Sequence, residues 1–273
     1  MNCKICNNTA TEIFTATVLK KFNNVQYFQC SNCNFIQTEH PYWLQESYTD
    51  AISDLDLGLI SRNISLSQKM DVIINLFFDN KAKFIDYGGG YGMMVRMMRD
   101  KGYDFYRQDN FCNNLFAKHF DITDLTQNNR SGFELLTAFE VFEHLENPLE
   151  EIRKMFTYSK SVLFSTSLQP KKVLKSSDDW WYFLPEIGQH IAFYTEKSLQ
   201  IVAEKFNTNY YKINDGLHLF SKNRINLKKI VIIEKSRILR FIYYFYYRYL
   251  YNQNHSLLSS DVNFIAGRNI FNN

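Results

Sequence analysis

The sequence is short of the features that would place it in several large protein classes. It has no excess of either charge. Its 31 Lys and Arg stand against 28 Asp and Glu, a formal net charge of +3. No broad basic face for binding nucleic acid follows from such a balance. It has no apolar run of membrane-spanning length: Phe241 to Tyr247 is the longest strongly apolar stretch, far short of the roughly 20 residues a spanning helix needs. The opening MNCKICNN lacks a positive region followed by an apolar one, so no secretory signal is read there. No internal repeat or low-complexity segment is present. Together these absences predict a soluble, cytoplasmic protein without a nucleic-acid partner. In a reducing compartment, its five cysteines read as metal ligands where they are paired, not as disulfides.

What is present is enough for a large core. The chain has 273 residues, 45% of them apolar, which suits one sizeable α/β domain with small additions. Aromatics reach 16%, with 24 Phe and 18 Tyr. Such ring faces suit planar or polyhydroxylated ligands, and they also suit a plain core built from a low-GC codon pool.

Two cysteine pairs, Cys3-Lys-Ile-Cys6 and Cys30-Ser-Asn-Cys33, bracket a strand-like stretch from Val25 to Phe28. A Cys-x-x-Cys turn brings two thiolates to one ion, and a second pair completes a tetrahedral site for Zn²⁺. Four thiolates leave no open position, so the metal is expected to be structural. It would stabilise a module too small to fold on its core alone. Residues 1–38 are therefore read as a zinc-binding module. Residues 39–80 read as a helical connector, from the spacing of Leu59, Ile60, Ile64, Leu66 and Met70.

From Lys83 strands alternate with helices. Lys83 to Tyr87 is a short buried strand that runs into Gly88-Gly-Gly-Tyr-Gly92 and then a helix at Met93–Asp100. Strands are expected at Asp104–Gln108, Phe133–Phe139 and Ser161–Ser167, with helices at Pro148–Tyr158 and Thr195–Phe206. A closing strand pair is expected around Asn214-Asp-Gly216. The alternation predicts an α/β fold: a Rossmann-like, seven-stranded, mostly parallel sheet with helices on both faces, over residues 81–224. At the glycine loop the backbone approaches a ligand closely. The spacing is G-x-G-x-G. The dinucleotide spacing G-x-G-x-x-G fails because Met93 stands where its last glycine belongs. Asp109, at the end of the next strand, supplies a carboxylate suited to ribose hydroxyls.

These residues resemble motif I of the class I S-adenosylmethionine (SAM) dependent methyltransferases, and Phe133-Glu-Leu-Leu-Thr-Ala-Phe-Glu-Val-Phe-Glu-His-Leu-Glu-Asn-Pro148 resembles that family's fourth-strand motif. The resemblance covers roughly residues 80–222. It implies SAM as cofactor beside Asp86 and Tyr87, with Gly88, Gly90 and Gly92 lining its methionine part. It also implies Ala138, Phe139 and Glu140 at the cofactor's border and Asp121 near the adenine. The cysteine module ahead of such a domain is similar to bacterial sugar methyltransferases of surface-glycan and deoxysugar synthesis. Those that methylate carbon carry a longer C-terminal domain than this chain has.

Methyl transfer to a hydroxyl needs a base, and histidine is the usual one. Of the six histidines, His190 lies in an aromatic loop, Trp180 to Tyr194, between a strand and the next helix. His144 is the rival base. Trp180, Trp181, Tyr182, Gln189 and Tyr194 are candidate substrate contacts, since ring faces suit a sugar. Gln189-His190 resembles the Glu-His pair of the carbon-methylating enzymes with the carboxylate replaced, which favours methylation of a hydroxyl. The acceptor implied is a nucleotide-activated sugar or glycan precursor. Residues 225–273 form a basic, aromatic tail whose amphipathic helix suits peripheral membrane contact, packing or a homodimer. Two other readings stay open: a zinc-module adaptor with a SAM-binding domain, and a nicotinamide-dependent oxidoreductase.

Overall fold

The computed structural model describes residues 1–48, 56–228, 236–246 and 255–267. Part of the expected helical connector (49–55) and much of the expected C-terminal helix (229–235 and 247–254) lie outside the described residues.

The chain divides into two compact units. One holds Met1–Asp56, Ala138–Phe156 and Leu163–Arg224, and the other holds Leu57–Thr137, Thr157–Val162 and Ile225–Asn273. The first begins with β1 (Ala10–Val18), β2 (Phe22–Cys30) and β3 (Ile36–Thr38). These form an antiparallel meander in which Ala10 faces Cys30 and Phe28 faces Gln37. A short helix, α1 (Leu44–Ser47), follows. In the second unit α2 (Leu59–Phe77) buries Leu66, Met70, Ile73 and Ile74, a helical stripe that matches the expected spacing. Then come β4 (Lys83–Tyr87), α3 (Met93–Asp100), β5 (Asp104–Gln108) and β6 (Leu135–Ala138).

The strands of the second unit are largely buried on both faces, the pattern of a covered parallel sheet. β4 pairs in parallel with both β5 and β6. Phe84 and Phe105 stack at 5.0 Å on this sheet. Burying a side chain of that size contributes roughly 1.5–3 kcal/mol.

After β6 come α4 (Pro148–Tyr158), β7 (Ser161–Ser165), β8 (Ala192–Phe193), α5 (Glu196–Lys205), β9 (Asn209–Asn214) and β10 (Leu217–Ser221). Pro148 opens α4 at the position where its missing N–H costs nothing. Thr195 caps α5 in a reciprocal box with Ser198. β9 and β10 form an antiparallel hairpin through Asp215-Gly216, where the Gly216 N–H donates to Asn214 Oδ1 at 2.9 Å. Two helices of the second unit complete the described chain: α6 (Arg237–Phe245) and α7 (Leu258–Ile265).

The larger sheet has the order β5-β4-β6-β7-β10-β9, mostly parallel and six-stranded. Seven strands were expected; the seventh is not found among the described residues. Between β5 and β6 the backbone is taken up by short 3-10 turns at Ile122–Asp124 and Gln127–Asn129. A single parallel bridge, Arg107 with Asp121, stands where a further strand would lie.

A second difference lies in the module. Its sheet has the order β1-β2-β3-β8, so a strand from the His190 segment completes it. Ile36 pairs with Phe193 and Gln37 with Ala192. The core of this unit joins Phe14, Tyr27, Ile36 and Trp43 to Trp180, Phe183, Ile191 and Phe193.

Candidate functional site

In the second unit, β4 delivers Asp86 and Tyr87 into the glycine loop. Two glycines there are demanded by geometry. Gly92 has φ +84°, and a Cβ on it would stand 2.7 Å from Asn114 Oδ1. Gly90 has φ +52°, yet a Cβ on it would meet nothing within 4 Å. The loop is therefore closed behind Gly92 and open beside Gly90. Gly88 donates its N–H to the Gln108 carbonyl at 2.8 Å.

Asp109 and Arg107 clamp Gly90 from both sides. The Gly90 N–H donates to Asp109 Oδ2 at 2.9 Å, and Arg107 Nε donates to the Gly90 carbonyl at 2.7 Å. Asp109 Oδ1 accepts from the backbone of Phe111 and Cys112, both at 2.8 Å. Asp121 accepts from Arg107 Nη1 at 2.6 Å and from Asn114 at 2.9 Å, so its carboxylate braces the clamp. Arg107 is a part of this clamp that the motif alone did not indicate.

Asp86 is wholly buried. Thr137 donates to its Oδ1 at 2.6 Å. Burial outweighs that bond and the nearby Arg107 charge, and with Asp109 it raises the Asp86 carboxyl to about 7. Tyr87 is buried beside Tyr158, ring centroids 6.2 Å apart.

In the first unit a second cluster forms. Ala138 is buried and Phe139 half-buried. Glu140 adopts φ +54°, a conformation that costs a non-glycine residue energy and is concentrated at functional sites. Ser165 holds it there: its Oγ accepts from the Glu140 N–H at 2.8 Å and donates to Glu140 Oε1 at 2.6 Å. A 3-10 turn, Phe142–His144, then places Glu143 and His144.

Glu143 is 0% exposed, and neither of its carboxylate oxygens has a hydrogen bond of good geometry among the described residues, the Tyr182 hydroxyl acting on it only weakly. Burial, reinforced by the Glu140 charge, raises its carboxyl to about 7, against the pull of His190. His144 Nε2 stands 4.0 Å from Glu143 Oε1. Its Nδ1 stands 3.1 Å from both the Tyr48 hydroxyl and the Gln189 carbonyl. Burial lowers the His144 imidazole to about 4, so it is neutral at pH 7.

His190 Nδ1 donates to the Tyr182 carbonyl at 2.7 Å, which leaves the lone pair on Nε2. The two imidazoles meet edge to face at 5.0 Å, and the Ile191 N–H donates to the Glu143 carbonyl at 2.9 Å. Sequence reasoning missed Glu143 and Tyr48 as site residues. Glu143 is legible in principle, one turn beyond Glu140 and next to His144. Tyr48 is joined to His144 only by the fold.

The aromatic loop divides. Trp180 and Tyr182 sit in the core of the first unit. Tyr194 is fully buried, and its hydroxyl donates to the Phe142 carbonyl at 3.1 Å. Gln189 is spent on the Ser47 carbonyl at 2.7 Å. Of the five candidate substrate contacts, Trp181 alone is exposed, at 71%. His218 is buried and bridges the Tyr210 hydroxyl and the Thr166 carbonyl, a structural role.

Cys3, Cys6, Cys30 and Cys33 bring their Sγ atoms within 4.8 Å of one another. Cys6 lies 3.4 Å from Cys30, and Cys3 lies 3.6 Å from Cys33. A tetrahedral ion with bonds of about 2.3 Å sets sulfurs about 3.8 Å apart, so the four fit one. The backbone N–H groups of Ile5 and Asn32 point at Cys3 and Cys30, both at 3.4 Å, as donors to thiolates do.

Among solved structures, the chain is similar to the methyltransferase domain of bacterial CtHen1, at 20% identity and TM-score 0.36 over 57% of this chain and 98% of that one. It is similar to the plantazolicin methyltransferase BpumL in complex with SAH, at 12% identity and TM-score 0.41 over 67% of this chain and 95% of that one. It is similar also to the mitomycin 7-O-methyltransferase MmcR, at 13% identity and TM-score 0.40 over 65% and 59%. No curated protein matches it in sequence. A family model described as a methyltransferase domain matches residues 63–213. That span is more than half of the chain and takes in the glycine loop, its clamp, Glu143, His144 and His190, and on it the chain belongs to the methyltransferase domain family, as a SAM-dependent methyltransferase.

Proposed function

We propose that the protein transfers the methyl group of SAM to a hydroxyl of a nucleotide-activated sugar or surface-glycan precursor, with a carbon acceptor as the less favoured variant. The open space beside Gly90, framed by Gly88 and Gly92, fits the methionine part of the cofactor. Asp86 and Tyr87 would lie on that side, and Asp109 would take the ribose hydroxyls. Ala138, Phe139 and Glu140 would border it. Asp121 would act through Arg107. When bound, SAM supplies an electrophilic methyl on a sulfonium with a neutral leaving group, so the protein's main tasks are positioning and removal of the acceptor's proton.

The single observation that carries the acceptor half is the anchoring of His190. Its Nδ1–H is held by the Tyr182 carbonyl at 2.7 Å, which fixes the tautomer with Nε2 as the basic atom. His190 is read as the general base. His144, held neutral by burial, is read as its orienting neighbour. Exposed Trp181, on the loop that carries His190, offers a face on which a sugar ring can stack. The closed set of Cys3, Cys6, Cys30 and Cys33 is read as a structural Zn²⁺ site.

The test is SAM turnover to S-adenosylhomocysteine over a panel of nucleotide sugars, with wild type and His190→Ala. The variant should bind SAM normally and lose on the order of a hundredfold in rate. Full activity in the variant would remove His190 as base. No turnover on any acceptor, with SAM binding intact, would favour the adaptor reading.

A further inference from the structure

The Glu143 carboxylate is wholly buried, and neither oxygen makes a hydrogen bond of good geometry, the Tyr182 hydroxyl pulling on it only weakly. A wholly buried carboxyl without a hydrogen bond is costly, and such groups in native structures mark a missing partner. The surroundings say what kind of partner. One donor atom from each of Glu143, His144 and His190 lies within 4.8 Å of the others. The other near acid, Glu140, adds negative charge to Glu143. Two imidazoles therefore face a site rich in carboxylate.

We infer that Glu143, His144 and His190 together hold a divalent transition-metal cation, a second metal site distinct from the four-cysteine one. Three features of the geometry support it. The donors are two imidazoles and one carboxylate, the set suited to Mn²⁺, Fe²⁺ or Zn²⁺ with positions left open. Each imidazole is oriented from behind through Nδ1: His190 by the Tyr182 carbonyl at 2.7 Å, and His144 by the Gln189 carbonyl at 3.1 Å. Outer-shell carbonyls of this kind fix the tautomer that presents Nε2 to a metal. The spacing is within reach, since His144 Nε2 stands 4.0 Å from Glu143 Oε1. Bonds of about 2.0–2.2 Å place donors about 3 Å apart, so the three, which lie within 4.8 Å of one another, need to close by about 1–2 Å.

The inference goes beyond the base reading and qualifies it. A nitrogen that ligates a cation cannot accept a proton. In ion-loaded protein the acceptor hydroxyl would become acidic by coordination and lose its proton to solvent. In ion-free protein His190 would take the proton itself.

The experiment is a Mn²⁺ titration followed by electron paramagnetic resonance, on full-length protein whose zinc content has been measured. Mn²⁺ is too hard to displace zinc from four thiolates, so it reports on the second site. Wild type should bind one Mn²⁺ per chain. Glu143→Gln, which keeps the side-chain shape, and His190→Asn should each weaken binding at least tenfold while circular dichroism shows an unchanged fold. Should either variant fail to fold, competition of Zn²⁺ for the bound Mn²⁺ in wild type provides the same reading: one Mn²⁺ displaced per chain supports the site.

No specific Mn²⁺ binding, or equal binding in the Glu143→Gln, His190→Asn double variant, overturns the inference. Turnover in the same samples separates it from the methyl-transfer reading. An active enzyme without a Mn²⁺ site sinks the cation alone. A Mn²⁺ site without turnover on any acceptor sinks the proposed reaction alone.

Discussion

Asp86 shows how burial of one side chain can work against stability. Its carboxyl is buried against Thr137 and is raised to about 7. In the unfolded chain it ionises near 4. Between those values the native state holds a proton that the unfolded state has lost, so this group's contribution to stability falls as pH rises from about 4 to about 7. Above 7 the folded protein carries a buried, destabilising charge. Asp86→Asn keeps an acceptor for Thr137 and removes that charge. The variant should melt at higher temperature than wild type at pH 8, by an amount on the order of 1 kcal/mol or more. It should bind cationic SAM more weakly, by roughly tenfold. Calorimetry of both properties checks this; a variant that gains neither stability nor loses affinity would show the carboxylate idle. Gly92 makes the complementary case. With φ +84° and Asn114 Oδ1 in the way of a Cβ, Gly92→Ala should cost about 1–3 kcal/mol and weaken SAM binding through the displaced 114–117 turn.

Two elements hold others in place. The turn between Cys30 and Cys33 is bonded through its own carbonyls. Thr195 donates to the Cys33 carbonyl at 2.6 Å, Lys197 to Asn32 at 2.6 Å, and Gln169 to Asn34 at 2.9 Å. β3 adds its pairing to β8, and the Thr38 N–H donates to the Ile191 carbonyl at 3.2 Å. The cysteine turn and the His190 segment are thus one hydrogen-bonded assembly. Stripping the proposed Zn²⁺ with a chelator should raise hydrogen exchange at residues 189–195 while leaving 84–92 unchanged. Equal protection of 189–195 before and after chelation would make the module independent of the His190 loop. α7 plays a similar part in the second unit. Asp261 on it makes a buried two-point ion pair with Arg99, at 2.9 Å and 2.7 Å, and Arg99 lies 3.7 Å over the Phe120 ring. Breaking a buried pair from one side costs about 3–5 kcal/mol, so Asp261→Ala should lower the denaturation midpoint sharply. A change under 1 kcal/mol would mean that water rescues Arg99.

At the scale of the whole molecule, the sequence carried the pattern that repeats and little of what tertiary contact decides. The parallel strands, the glycine loop and α5 with its Thr195 cap were legible because each is set by neighbours in the chain. The absence of a seventh strand among the described residues was not: two 3-10 turns take up backbone between β5 and β6. The roles of Trp180 and Tyr194 were not legible either, since aromatic composition does not say whether a ring faces a ligand or a core. Asp109 was picked out as a ribose ligand, and the structure adds a second use for it, as the acceptor that fixes Gly90.

That second use bears on which cofactor the molecule selects. A dinucleotide site needs a pyrophosphate against the helix start, with a glycine one position further than this chain has. Here Met93 opens α3 directly after Gly92, and Arg107 spends its guanidinium on Gly90, Asp121 and Cys112. No cation of the clamp is left over for a diphosphate. Isothermal titration should therefore show micromolar binding of SAM and no response to NAD. At a hundred times its dissociation constant SAM should stabilise the fold by about 2.7 kcal/mol, seen as a rise in melting temperature that NAD does not give. NAD binding of equal strength would refute the argument from the glycine loop and return the oxidoreductase reading to consideration.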